Sequence, residues 1–250
     1  KVGSIVAIDP KTGGILCMVS APTYNPNYLT GNQRKKHLVD MMYYDPRKPL
    51  LNRTVSTTYS PGSTFKTLVG IIGMAEGVID DQMTVTCGGS YLGCGRRMGC
   101  HAAGTFTLKP AISKSCNSYF GNTYKRTIEK YPKPAYGVDA WSNHLKSFGL
   151  GDFMGYDLPP GKRGKVPTTK LYNKYYSAGG WRSTTIISNA IGQGEVLTTP
   201  IQLCNVMAAV ANHGYYYTPH IIKKIEGDDG RLPLEASKNT AGIAIIKYLE

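Results

Sequence analysis

The tightest constraint in these 250 residues is a helix entry at Ser60-Pro61, followed by apolar residues at helical spacing. Serine and proline suit the N-cap and first-turn positions, and Phe65, Leu68, Val69, Ile72 and Ala75 then recur on one face, with Gly77 placed to end the helix. A helix so apolar must be buried. It is preceded by two β-prone runs, Ser4 to Ile8 and Gly14 to Val19, joined by the turn-rich Asp9-Pro10-Lys11-Thr12-Gly13, which reads as a hairpin. Further helices are expected over Thr107 to Lys114 and Ser118 to Tyr131. Another should begin at Thr199-Pro200-Ile201-Gln202, a capping box with proline in the first turn, and stop near Gly214. A hairpin followed by mostly helical sequence fits an α+β domain better than a βαβ array.

Ala21 to Arg53, rich in Pro, Asn, Tyr and basic residues, is expected to make a long surface excursion. With 41% hydrophobic and 18% charged residues, neither disorder nor coiled coil describes the whole chain. No segment gives the roughly 18 consecutive apolar residues of a membrane span. The best stretch, Val196 to Ile222, is interrupted by Pro200, Gln202, Asn205, Asn212 and Pro219. The chain opens without Met and without a signal peptide, so it is expected to be excised from something longer.

The helix entry also carries chemistry. Ser63 and Lys66 stand three apart and share a face. A serine hydroxyl becomes a nucleophile when a neighbour takes its proton, and a lysine of lowered pKa can do that. Taken alone, S-x-x-K equally suits a capped helix bearing a surface lysine. A second element, Ser115-Cys116-Asn117, falls at a helix junction 52 residues on. There a hydroxyl and an amide two positions apart can face one cleft, the serine to relay a proton and the asparagine to hold a substrate amide. An ordinary polar turn is the plain alternative.

Together these motifs resemble the penicillin-binding protein transpeptidase and serine β-lactamase superfamily, whose signature is S-x-x-K, S-x-N and K-[ST]-G. Ala7-Ile8-Asp9-Pro10-Lys11-Thr12-Gly13-Gly14 through Ser20 is similar to the opening hairpin of its class B penicillin-binding proteins. Asn52-Arg53 with Tyr59 to Lys66, and Ala190-Ile191-Gly192-Gln193-Gly194 with Leu197 to Leu203, resemble their nucleophile segment and later helix entry. The elongation-type members of class B are most similar, over residues 2 to about 226. The resemblance implies one transpeptidase domain over residues 1–250, in the penicillin-binding protein/β-lactamase fold.

It also implies peptidoglycan D,D-transpeptidation through a Ser63 acyl-enzyme, with Lys66, Ser115 and Asn117 as the other catalytic residues and β-lactams as inhibitors. A serine β-lactamase, for which no obvious deacylation base is visible (the candidates Glu195 and Glu226 read as scaffold), and a non-catalytic sensor module of the same fold are the competing readings. The implied setting is the periplasmic side of a bacterial inner membrane, with stem peptides as substrate and a membrane glycosyltransferase as partner. Lys11-Thr12-Gly13 spells K-[ST]-G but lies in the hairpin turn, so it reads as structural. No such triplet follows Thr199 and Gly230 to Glu250 matches nothing placed, so the chain is expected to stop before the third motif and its strands. Loss of the oxyanion N–H donor on that strand costs on the order of 10²–10³ in rate, so these residues by themselves should be impaired.

Four of six cysteines fall between 87 and 116, in a glycine-rich run expected to be a metal-wrapping loop. Thiolate and imidazole suit structural zinc, and Cys87, Cys100, His101 and Cys116 form the expected set, with Cys94 replacing His101 if the imidazole points away. Certain elongation-type relatives are similar in placing a metal ligand within the S-x-N turn. One or two disulfides compete with this reading, the superfamily being extracytoplasmic. Cys17 and Cys204 read as core residues, and His37, His144, His213 and His220 show no acid or cysteine at metal spacing and read as ordinary surface or core residues. Lys and Arg number 29 against 16 Asp and Glu, for a formal charge of +13, which favours anionic surroundings. The stretch Leu158 to Gly194 has six cations and no acid, but no nucleic-acid module accompanies its tyrosines, so nucleic acid is not expected as a partner.

Overall fold

The computed structural model describes residues 1–32, 34–93, 95, 97–155 and 157–223, with the backbone of 238–240. The chain opens as the expected hairpin, β1 (Gly3–Ile8) and β2 (Ile15–Ala21), antiparallel with Ile5 opposite Val19. Its turn is closed by Asp9, whose carboxylate accepts from Lys11 N at 3.0 Å and from Thr12 Oγ1 at 2.9 Å. His220 then pins the turn, donating its N–H to Gly13 O and accepting Ile15 N at 2.8 Å. Lys11-Thr12-Gly13 is thus a structural corner. The excursion that follows holds one 3₁₀ turn, the short α1 (Arg34–Val39) and a π turn, none of which contributes a buried residue.

After α2 (Arg53–Ser56) the helix entry is tighter than its periodicity predicts: Gly62–Phe65 form a 3₁₀ turn, and α3 runs Lys66–Ala75. The cysteine-rich run is a β-hairpin, β3 (Val85–Tyr91) and β4 (Met98–Phe106), and not the loop its glycines suggested. The early half of β3 alternates buried Val85 and Cys87 with exposed Thr86 and Gly88, and Thr86 meets Thr105 across the pair at 2.9 Å. Glycine gives no β signal of its own, which hid that alternation.

The helices α4 (Leu108–Ser113) and α5 (Asn117–Glu129) fall where expected. The next two, α6 (Pro134–Ser147) and α7 (Thr169–Tyr175), were not read from the sequence, although α6 buries Val138, Trp141, Ser142 and Leu145 at helical spacing. Helix α8 (Pro200–Ala211) starts on the predicted capping box, with both reciprocal Thr199–Gln202 bonds present. Beyond it, β5 (Tyr215–Tyr217) pairs antiparallel with β6 (Lys238–Thr240), inside the stretch that sequence alone left unplaced.

The main core joins the 3₁₀ turn, α3, α5 and α6 through Phe65, Leu68, Ile72, Phe120, Tyr124 and Trp141, all within 1% of full burial, and β3 adds Val85, Cys87 and Tyr91. Each such aromatic removed would cost about 3–5 kcal/mol. A smaller cluster of Ile8, Val55, Leu158 and Ile201 lies under the first hairpin. The main core holds α3 and α5 beside each other.

Candidate active site

Ser63 sits on the exposed 3₁₀ turn, and Lys66, the first residue of α3, is 2% exposed. Gly192 N-terminal to α8 backs the turn, its carbonyl accepting Gly62 N at 2.8 Å. Opposite lies Ser115, at the joint of α4 and α5. Ser115 N bonds to Ile112 O at 3.0 Å and Cys116 N to Ala111 O at 2.9 Å, the paired bonds of a Schellman helix stop. The left-handed residue of that motif is usually glycine; here it is Ser115, at φ 52°. A β-carbon is disfavoured there by on the order of 1–3 kcal/mol, a cost typical of functional positions.

The Lys66 ammonium donates to Ser115 O at 2.7 Å, Ser115 Oγ at 2.8 Å and Asn117 Oδ1 at 2.5 Å. Ser115 Oγ in turn donates to Ser63 Oγ at 3.0 Å. The structure therefore brings all four residues together, with a difference from the expected pair: the amine reaches Ser63 through the Ser115 hydroxyl. Burial lowers the Lys66 pKa against the opposing pull of the Cys100 and Cys116 sulfurs. That shift is the one a lysine base needs. Asn117 gives its carboxamide N–H to Gly99 O at 2.7 Å, so one N–H is left for a ligand and its oxygen serves the lysine.

Beneath Asn117 the sulfurs of Cys87, Cys100 and Cys116 lie within 4.8 Å of one another. Cys116 is the N-cap of α5, its sulfur accepting Tyr119 N at 3.4 Å; sulfur is a weak acceptor, so this cap left little sequence signal. Cys100 Sγ accepts Asn117 N at 3.1 Å and lies 3.9 Å from Cys116 Sγ. Burial, aided by the neighbouring sulfurs, pushes the Cys116 thiol up to about 12. Burial also raises Cys100, but backbone donors at Ala102, Ser118 and Asn117 outweigh it and hold that thiol below its ordinary value.

Four thiolates around zinc at about 2.3 Å would stand about 3.8 Å apart, so this trio fits three corners of a tetrahedron. His101 does not join it: neighbouring strand residues point to opposite faces, and His101 is exposed while Cys100 points inward. Cys94 lies outside the described residues. All five described cysteines are free thiols. Cys17 and Cys204 are half-buried, less enclosed than the expected core positions.

One polar cluster escaped sequence reading. Glu76, 8% exposed, receives Lys130 Nζ at 3.0 Å, Tyr131 OH at 3.0 Å and His144 Nε2 at 2.7 Å. His144 thus meets an acid 68 positions away in the chain, a partner no local spacing could show. An acid at the C-terminus of a helix opposes the helix dipole, the one signal that a partner had to exist. The other acid considered, Glu195, is held by Tyr172 OH at 3.0 Å and Asn189 Nδ2 at 3.3 Å. Glu226 lies outside the described residues.

A serine reached by a buried lysine through a second serine, on an α+β domain opening with a hairpin, is the arrangement of the active-serine, lysine-assisted acyl-transfer class. The family model "Penicillin binding protein transpeptidase domain" matches residues 3–245, and the chain belongs to that family. Its relatives are of the penicillin-binding protein 2 type. Peptidoglycan D,D-transpeptidase MrdA of Acinetobacter baumannii is 32% identical over 231 residues, 90% of this chain and 33% of the relative.

Among solved structures, penicillin-binding protein 2 in complex with MreC from Helicobacter pylori aligns with a TM-score of 0.81 and 26% identity, over 100% of this chain and 43% of that one. The imipenem acyl-enzyme of penicillin-binding protein A from M. tuberculosis aligns at TM-score 0.76 and 26% identity, over 99% and 55%. The chain thus spans about a third of the length of the curated relative.

Proposed function

We propose that this chain provides the acylation centre of a peptidoglycan D,D-transpeptidase. The observation that carries the reading is the continuous line from buried Lys66 through Ser115 Oγ to exposed Ser63 Oγ. Once Lys66 has lost a proton, Ser63 gives its own to Ser115 Oγ, which passes one on to the amine. Ser63 Oγ bonds to the carbonyl carbon of the penultimate D-alanine of a stem peptide. The C–N bond to the terminal D-alanine breaks, and the leaving amine takes the proton from Lys66 by the same relay. An amine of a neighbouring stem then attacks the ester carbonyl, its proton passing along the same relay to Ser63 Oγ as the new C–N bond forms and the C–O bond to Ser63 breaks. Asn117 holds Lys66 in line and keeps one N–H for the stem-peptide backbone. β-Lactams acylate the same serine and remain.

Among the described residues no carboxylate hydrogen-bonds Ser63, Lys66 or Ser115, and Glu195 is tied to Tyr172 and Asn189, which supports a transpeptidase over a β-lactamase. Structural zinc held by Cys87, Cys100 and Cys116 would brace Asn117 from below, with Cys94, the substitute for His101, as fourth ligand. The setting is the periplasmic face of an inner membrane beside a membrane glycosyltransferase, the partnership implied by the resemblance; no described helix is long and apolar enough to cross a membrane. The +13 charge suits anionic wall polymer and lipid.

Labelled penicillin tests the reading on the full-length protein. A stable adduct lost in Ser63→Ala is the expected result. Rapid turnover of the label would make the protein a β-lactamase, and absence of any adduct would leave a non-catalytic module.

A further inference from the structure

Helices α3 and α5 run side by side in the same direction, with Lys66 and Asn117 at their starts and Glu76 and Lys130 as their C-caps. Two glycines of α3 face α5 beside the core side chains. A β-carbon on Gly73 would stand 2.5 Å from Thr123 Cγ2, and one on Gly70 would stand 3.6 Å from Phe120 Cε1. On the other side of α5, a β-carbon on Gly137 of α6 would stand 2.3 Å from Ile128 O. Glycine lets the two helices approach closely, while Leu68, Ile72, Phe120 and Tyr124 pack beside it, so the register of α5 on α3 is shared between that core and the polar bonds at the helix ends.

The polar bonds lie at the two ends of the pair. At the near end they are the contacts of Lys66 with Ser115 and Asn117. At the far end Glu76 gathers three donors: Lys130 and Tyr131 beyond α5, and His144 of α6. Lys130 Nζ also reaches Glu76 O at 2.6 Å, so it grips both the side chain and the backbone of the α3 terminus.

We propose that Glu76 is a positioning residue for acylation, helping to set from the far ends the register in which α3 presents Lys66 to Ser115 and Asn117. The inference rests on the acyl-transfer reading above. A ten-residue helix is about 15 Å long and moves nearly as a rod, so a slip at Glu76 arrives at Lys66 almost undiminished. Misplacement by about 1 Å at a reacting centre costs on the order of 10² in rate.

The test separates the acylation rate constant from the reversible binding constant of a labelled penicillin on the full-length protein, at a temperature where circular dichroism shows every variant folded. Glu76→Ala and Lys130→Met are expected to slow acylation on the order of tenfold to hundredfold, with binding changed less than about twofold. Glu76→Gln, which keeps an acceptor, recovers part of the rate. Ile201→Ala, in the smaller core, serves as a destabilised control and keeps the wild-type constant. Labelled wild type with unchanged constants in Glu76→Ala and Lys130→Met overturns the positioning role and leaves the acyl-transfer reading intact. The same is true if Ile201→Ala slows acylation as much as they do. A wild type that takes no label overturns both.

Discussion

Gly192 and Gly62 touch backbone to backbone: a β-carbon on Gly192 would lie 2.2 Å from Gly62 O, while Gly62 N donates to Gly192 O at 2.8 Å. With φ at 66°, Gly192 also holds a conformation side chains avoid. This contact braces the turn that carries Ser63. Gly192→Ala should lower stability by more than about 2 kcal/mol in denaturant unfolding and slow penicillin labelling of the fraction that folds.

Removing the amine isolates its contribution. Lys66→Met leaves a side chain of similar length in the buried slot but no proton acceptor for Ser63. Acylation by labelled penicillin should fall by about 10²–10⁴, the usual loss on deleting a general base. Retention of more than a tenth of the rate would remove Lys66 from that role.

Ser115 offers a separation of strain from chemistry. Ser115→Gly relieves the left-handed backbone and keeps the Schellman bonds, so thermal stability should hold or rise by up to about 1 kcal/mol. Acylation should nevertheless drop sharply, because the hydroxyl bridging Lys66 and Ser63 is gone. A stable variant that acylates at the wild-type rate would show the bridge to be idle.

Glu76 makes an acid-side prediction. Burial raises its pKa, but the bonds from His144, Lys130 and Tyr131 together outweigh this and hold it below the ordinary 4.5. A depressed carboxylate stabilises the fold fully above its unfolded pKa, and the contribution drains away as pH falls through the folded value. The melting-temperature gap between wild type and Glu76→Gln should be full at about pH 6 and shrink below about pH 4.5. A gap that stayed constant into acid would contradict it.

The sulfur cluster predicts near-stoichiometric zinc in purified protein. Chelation, or Cys100→Ser, should lower the melting temperature by several degrees, an effect of roughly 1–3 kcal/mol in a domain of this size. His101→Ala should leave zinc content unchanged, since that imidazole faces solvent.

What was legible in the sequence is what local chemistry dictates. The capping box at Thr199, the apolar stripe after Phe65 and the hairpin turn at Asp9 are each settled by neighbours in the chain, and each stands close to where the pattern put it. The S-x-x-K and S-x-N letters picked out four residues that the fold brings together, yet not their wiring, because whether Lys66 faces Ser63 or Ser115 depends on how α3 meets α5. Glycine obscured the β3–β4 hairpin, and with it the alternation that turns His101 away from Cys100. The Glu76 cluster joins residues more than fifty positions apart, beyond any local pattern.

The left-handed Ser115 makes the site a property of the assembled domain. Cut out as a peptide, the α4–α5 segment would relax to the conformation its side chain prefers, and the hydroxyl would swing off its line. Mimics or antibodies raised against that segment alone would meet a different shape from the one the folded domain presents.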